Sequence, residues 1–409
     1  MGKDKRLVIV VSTYPPEHCG VGRDAFQLVR SLNKLRDVRV LANVVNGAPL
    51  EEGGVSRVWR KHDLAYPFKI VSRIRRVRER TDVIVHVYHH FNLYGGPASA
   101  PSFLLLLMLL RMSGYPVVVQ PQSVIDPREV PELARSYGRA IPPSLVRLGL
   151  RWFYRSMAIL AARTAVCTAS MRSILVRQYG VDPRRIWVVP VGWQEVESVS
   201  RSALEEVTTE PGAPRLVMFH GFLDPTKGLA DLLEGFAREH AVDPRSRLVF
   251  AGETSPHLGP SGEAFVRSLK ERVDQLGLRH AVTFTGYLDE AGLTRMLSSA
   301  DVFVLPYTMV ASHGGSASLS RVAGFGKPLI ASRISRFADE IVDGETGLLV
   351  DPGRPDEIQA ALHRVFTDTA LADRLGHNLR KLAEQRTWKA SAELLDGSLY
   401  PSLGRGQVT

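Results

Sequence analysis

Cysteine is nearly absent from this chain: among 409 residues only two occur, Cys19 and Cys167. They form no CxxC pair, so neither a disulfide framework nor a Cys-rich zinc site is expected, and a reducing compartment is the default. Long apolar runs are missing too. The longest, Phe103–Leu110, is broken by Arg111 and falls well short of the roughly 20 residues a membrane-spanning helix needs. The N-terminus has basic residues and then only the short apolar run Leu7–Val11, with no signal-peptide core and no small-residue cleavage site. A cytoplasmic protein is expected. No recognised nucleic-acid motif accompanies the charge, so nucleic acid is not expected as a partner.

What is present is an ordinary globular composition, 44% hydrophobic and 23% charged, long enough at roughly 150 residues per domain for two or three domains. The net charge is +10 and unevenly spread: residues 1–200 hold 29 Lys and Arg against 15 Asp and Glu, and the rest holds 23 against 27. Two basic segments stand out. Lys69–Arg80 sets Ile70, Val71, Ile74 and Val77 at helical spacing among five arginines. Arg147–Arg163 mixes four arginines with Trp152, Phe153, Tyr154, Met157 and Leu160. Such helices either pack with snorkelling arginines or lie on an anionic bilayer, so a peripheral position on the inner face of a membrane is an expectation.

Short β-branched runs alternate with helical patterns along the chain. Strands are expected at Leu7–Ser12, Val38–Ala42, Val83–Val87, Val117–Gln120, Ala165–Thr168 and Ile186–Val189. A second set is expected at Leu216–His220, Leu248–Ala251, Val282–Thr285, Val302–Leu305, Pro328–Ala331 and Gly347–Val350. Near-continuous apolar strands alternating with helices imply an α/β protein with buried parallel sheets. The expected domains are 1–200, a linker at 201–214, 215–387, and a tail at 388–409 packing back toward the first domain. Ligands of doubly wound sheets gather at strand C-termini.

Three loops at expected strand ends carry the chemistry. After the first strand come Thr13-Tyr14-Pro15-Pro16 and then Cys19-Gly20-Val21-Gly22, ahead of a helix expected near Asp24. Glycine amides at a helix start suit an anion. At the third strand and its end stand His86, His89 and His90. Their spacing invites a metal reading, but no matching carboxylate or further His cluster accompanies them, so no metal is expected. His86 alternates with apolar residues and reads as core, whereas His89, His90 and Asn92 read as facing the site. In the second half, His220-Gly221-Phe222-Leu223-Asp224-Pro225-Thr226-Lys227-Gly228 puts a lysine in a glycine-flanked strand–helix loop, a natural diphosphate partner.

The Pro-Pro…Gly-Val-Gly run, Lys227-Gly228, Phe284–Leu288, Ser299–Pro306, Gly326–Ser332 and Asp339–Val350 resemble, in combination, the retaining nucleotide-sugar-dependent glycosyltransferases of the GT-B fold. The resemblance runs from Leu7 to about Thr387. It implies two Rossmann-like, doubly wound domains facing a central cleft, with an acceptor-side domain first and a donor-binding domain second. It implies donor contacts from Gly20, Gly22, Gly221, Lys227, Gly228, Tyr287, His313, Gly314, Gly315, Ser316 and Arg321. Gln122, His89, His90 and Asn92 are placed on the acceptor side, and Lys227, His89, His90 and Arg321 are the catalytic candidates. No cofactor beyond the nucleotide-sugar donor is implied.

Three positions depart from the family pattern. Phe222 stands where an arginine is usual, and His313 and Arg321 stand where the family has two glutamates eight positions apart. The activity the resemblance implies is transfer of a sugar from a nucleotide-diphosphate sugar to a glycan or lipid-linked acceptor, with retention of anomeric configuration. The alternative is a non-catalytic sugar- or nucleotide-binding scaffold.

Overall fold

The computed structural model describes residues 6–77, 83–131, 142–195, 214–255, 258–308 and 312–404. Positions 201–213 of the expected linker and 78–80 of the Lys69–Arg80 segment lie outside them. The chain divides into two compact units. One comprises residues 1–192, 311–315 and 388–409, and the other 193–310 and 316–387.

The first unit holds an eight-stranded sheet. Its strands are β1 (Leu7–Ser12), β2 (Val38–Asn43), β3 (Glu51–Glu52), β4 (Val55–Trp59), β5 (Val83–His89), β6 (Val117–Pro121), β8 (Arg163–Val166) and β9 (Ile186–Val188), in the order β3-β4-β2-β1-β5-β6-β8-β9. All neighbours pair parallel except β3 with β4. β1 and β5 are buried along their whole length, which is why β1 reads as an apolar run rather than an alternating one, and β5 does so apart from His86 and His89. A separate antiparallel ribbon joins β7 (Ser123–Ile125) to β14 (Ser312–Gly314), with His313 opposite Val124. The ribbon is not legible in the sequence, because three-residue strands carry no measurable periodicity.

The second unit holds a six-stranded, all-parallel sheet. Its strands are β10 (Arg215–His220), β11 (Ser246–Ala251), β12 (Val282–Phe284), β13 (Val302–Leu305), β15 (Leu329–Ser332) and β16 (Leu348–Val350), ordered β12-β11-β10-β13-β15-β16. In each sheet the first strand of the unit lies between its successor and a later strand: β1 between β2 and β5, β10 between β11 and β13. That reversal of strand order is where doubly wound sheets open a crevice at their C-terminal edge.

Helix limits shift from expectation in three places. The first helix spans Gly20–Leu32 rather than starting near Asp24. The poor helix propensity of Gly20 and Gly22 hides a first turn that tolerates glycine, since the N-terminal amides have no intrahelical partner in any case. The helix within Lys69–Arg80 runs Tyr66–Arg75, with Pro67 in its first turn. The helix within Arg147–Arg163 runs Pro143–Leu160, and Arg163 opens β8.

In the first unit the last helix, Trp388–Leu394, and the turns after it are fixed by specific polar contacts. Arg6 donates to the Tyr400 carbonyl at 2.9 Å, Arg36 pairs with Asp396, and the Tyr400 hydroxyl meets His86 Nδ1 at 2.7 Å.

Candidate functional site

In the second unit the site grows from the C-terminal ends of β10 and β13. β10 ends at His220, and Gly221 comes so close to Ser318 that a Cβ there would lie 2.7 Å from its Oγ. The chain then makes a short 3-10 turn, Pro225–Lys227, capped by Asp224, whose carboxylate accepts from the Thr226 amide at 2.7 Å. Gly228 closes the turn with φ +64°, and a Cβ on it would collide with the Pro306 carbonyl oxygen. Only glycine both adopts that left-handed geometry and lets the two strand-end loops touch. The touch is reinforced by the Thr308 amide donating to the Thr226 carbonyl at 3.0 Å.

This closure aims the lysine. Lys227 Nζ sits 3.9 Å from the centroid of the Tyr307 ring. The Tyr307 hydroxyl in turn donates to Ser318 Oγ at 2.8 Å. Gly221, Lys227, Gly228, Tyr307 and Ser318 therefore form one contiguous cluster across the β10–β13 reversal. Ser318 lies in the first turn of the helix Ala317–Val322, whose amide end is capped by Ser316, accepting from Leu319 at 3.2 Å. A half-buried ammonium beside a polar hydroxyl pair suits a phosphate oxygen.

Arg321 lies one turn further along that helix, 4% exposed, with its Nη2 paired to Glu290 in the first turn of the helix Glu290–Ser298. Its Nη1 is buried without a hydrogen-bond partner among the described residues. The pair joins a buried guanidinium to a carboxylate that is 60% exposed. Tyr287, on the loop before Glu290, is 63% exposed. Neither Glu290 nor Tyr307 is among the residues expected from the sequence. The one available signal was the arginine in a glutamate's place, which calls for a carboxylate elsewhere to meet it.

The first unit treats its candidates less uniformly. Gly20 and Gly22 occupy the first turn of the helix Gly20–Leu32, whose N-cap residue, Cys19, makes no side-chain capping bond. Next in that helix comes Asp24, which has no motif in the sequence to mark it. Desolvation pushes its carboxyl up to about 7, with Arg23 pulling the other way.

The histidines divide. His86 is core, as its alternation implies: its ring is bracketed by the Tyr400 hydroxyl and by Gln120 Oε1 at 2.8 Å, and burial lowers its pKa to about 4. His89, expected at the site, is instead 2% exposed. Its ring lies 4.4 Å from that of Phe103 and 4.9 Å from that of Phe153. Burial drives its pKa down to about 3, and its Nδ1 has no hydrogen-bond partner among the described residues. An imidazole in an aromatic cage is held neutral and out of reach of solvent. His90 is half-buried; its Nδ1 accepts from the amide of Asn92, which is exposed.

Gln122 is buried between β6 and β7, its Nε2 without a partner among the described residues. Gly314 of β14 passes so near that a Cβ on it would collide with the Gln122 carbonyl oxygen, so the ribbon's pairing needs glycine there. Gly315 packs likewise against Val191 and Cys167. His313, expected as a donor contact, has its Nε2 3.0 Å from Glu129 Oε2. His313 and Arg321 thus belong to different units, the first with the N-terminal sheet and the second with the C-terminal one.

Two doubly wound units with loops gathered at their strand reversals define the GT-B class of fold. Solved structures share it. HepE from Anabaena, in complex with UDP, aligns with a TM-score of 0.73 at 15% identity over 97% of this chain and 100% of that one. Sucrose-phosphate synthase from Thermosynechococcus elongatus aligns with a TM-score of 0.73 at 19% identity, over 98% and 99%.

Residues 200–382 match the family described as glycosyl transferases group 1, and residues 19–192 match the glycosyl transferase 4-like domain. Each half of the chain thus matches a glycosyltransferase family. The chain is 31% identical over 245 residues to D-inositol 3-phosphate glycosyltransferase of Corynebacterium glutamicum, covering 58% of this chain and 56% of that protein. It is 24% identical over 357 residues to alpha-D-kanosaminyltransferase of Streptomyces kanamyceticus, covering 86% and 84%. The chain spans about half the length of the D-inositol 3-phosphate glycosyltransferases it matches.

Proposed function

We propose that the protein transfers a sugar from a nucleotide-diphosphate sugar to a glycan or lipid-linked acceptor, with retention of configuration. The observation that carries this is the cluster of Lys227, Tyr307 and Ser318 at the β10–β13 reversal. A cation held beside oriented hydroxyls stabilises negative charge as it develops on a leaving diphosphate. The complexes of HepE with UDP and with UDP-glucose support a donor of this kind. The first-turn amides of Gly20 and Gly22 add a second place where an anion is favoured.

The deciding experiment is a donor screen that reads released nucleoside diphosphate in the presence of lipid and glycan acceptors. Release with one donor, dependent on acceptor, establishes the reading. Nucleotide binding without release under any donor favours the scaffold alternative, to which the Arg321–Glu290 pair lends weight by placing an ion pair where the family has a glutamate.

The acceptor side of the proposal includes an anionic membrane surface. No helix among the described residues is long and apolar enough to cross a membrane. The helix Pro143–Leu160 nonetheless buries Leu150, Phe153, Tyr154 and Met157 while leaving Leu145, Leu148, Trp152 and Ile159 exposed among Arg147, Arg151 and Arg155. That outward face combines apolar anchors with cations, the composition that favours anionic lipid.

A further inference from the structure

The ribbon β7–β14 brings together three side chains that the sequence keeps far apart. Asp126 comes directly after β7 and is 1% exposed; Glu129 stands three residues on; His313, 8% exposed, arrives on β14 from 184 positions downstream. One ligating atom from each lies within 4.8 Å of the other two. We propose that these three residues bind a divalent transition-metal cation, with Zn2+ the preferred occupant and Mn2+ a weaker one.

Four features of the geometry support the assignment. First, the donor set is one imidazole nitrogen and two carboxylate oxygens, a set that Zn2+ accepts with positions left over for water. Second, the imidazole and the Glu129 carboxylate already meet at 3.0 Å, a separation that two ligands of one ion also adopt. Third, Asp126 is oriented as metal-binding carboxylates are. Arg128 donates to it through Nε at 3.1 Å and Nη2 at 2.6 Å, and the Arg128 amide donates at 2.8 Å. Fourth, the charge balance calls for it. Counted formally, two carboxylates and one guanidinium give −1, and two of the three ligating side chains, Asp126 and His313, are buried.

The competing account is a protonated His313 paired with Glu129. It uses the same hydrogen bond but predicts no affinity for metal, which makes the two separable. The cation would also tie β14 to the segment after β7, so its binding has a mechanical readout. This goes beyond the proposed transfer, which draws on Lys227 and not on this cluster.

The test uses the full chain, purified without an affinity tag, stripped with chelator and titrated with Zn2+, Mn2+ and Mg2+ by calorimetry, with Co2+ absorbance as a spectroscopic probe. The expected result is one Zn2+ per chain with a raised thermal midpoint, Mn2+ binding at least tenfold more weakly as the usual affinity order requires, and affinity falling in acid, where protons compete for the ligand atoms. Glu129→Gln, nearly isosteric, and His313→Ala should each weaken Zn2+ at least tenfold. His363→Ala, which removes another histidine–glutamate pair, should leave it unchanged. Absence of Zn2+ binding tighter than millimolar in the wild-type chain overturns the proposal. So does Zn2+ binding that both Glu129→Gln and His313→Ala leave intact with the protein folded.

Discussion

The loop after β10 and the end of β5 both bring ionisable side chains to the C-terminal edge of a parallel sheet, and they handle them in opposite ways. After β10, Lys227 lies half-buried against the face of Tyr307, whose hydroxyl is bonded to Ser318. At the end of β5, His89 is enclosed by Phe91, Phe103 and Phe153 and held neutral. The difference lies in the residues just beyond each strand. A glycine at φ +64° lets the β10 loop fold onto its neighbour and project its cation. Beyond β5 stands the aromatic Phe91, and the apolar helix Ala100–Met112 contributes Phe103 to the cage. Position at a strand end is therefore not enough to make a site; the polarity of the covering layer decides.

Substitution of the two residues gives the largest contrast. Lys227→Ala should lower donor turnover on the order of 10²–10³-fold, the scale of losing one charge-stabilising group. His89→Phe should leave turnover within severalfold, because its ring only fills space. Equal losses from both, measured as nucleoside diphosphate release on folded protein, would break the comparison.

Acid sharpens it from the side of stability. His86 and His89 titrate at about 4 and about 3 when folded, against 6.5 when free. Between those values the unfolded chain binds more protons than the native one. Stability is thus full above pH 6.5 and drains away as the pH falls toward 4, by about 3 kcal/mol per histidine. Denaturant melts at pH 7 and pH 4.5 measure the slope. His89→Phe should flatten it by its own share, and an unchanged slope would mean that His89 is not the buried neutral group described.

A smaller effect separates closeness from conformation within the second unit. Gly228→Ala faces both a left-handed φ and a collision with the Pro306 carbonyl oxygen, and should cost about 2–4 kcal/mol. Gly286→Ala meets the same φ range with nothing within 4 Å and should cost about 1 kcal/mol. Chemical denaturation of the two variants reads the gap directly.

Legibility in the sequence depends on the length scale of each signal. Strands such as β1 and β13 announce themselves because a buried parallel strand is a run of apolar residues. The Lys227 loop is legible because its glycines and its lysine are neighbours in the sequence. The β7–β14 ribbon and the Asp126–Glu129–His313 cluster are not, since they join segments 184 residues apart and no local spacing encodes the pairing. His89 misleads for the opposite reason: its local context is polar, with His90 and Asn92 beside it, while the aromatic rings that enclose it come from Phe103 and Phe153. Arg321 is an intermediate case. Its departure from the family pattern is plain, but its partner Glu290 emerges only from the folded helix ends.

The smallest expected effect concerns the outer face of the first unit. Its exposed apolar residues and its arginines make separate predictions about a bilayer. Leu148 and Trp152 are 64% and 54% exposed on the helix Pro143–Leu160, and inserting a side chain of that size is worth roughly 1.5–3 kcal/mol at full burial. Partial insertion at the interface returns a fraction of that, so Leu148→Ser with Trp152→Ser should weaken binding to anionic vesicles about tenfold. Arg147→Gln with Arg151→Gln should lower binding to anionic vesicles about thirtyfold, at about 1 kcal/mol per cation, and should weaken its dependence on salt. Sedimentation with vesicles of neutral and of anionic composition distinguishes the two contributions. Equal binding of the wild-type chain to both compositions would remove the electrostatic half of the argument, and binding to neither would reduce this face to an ordinary solvated helix.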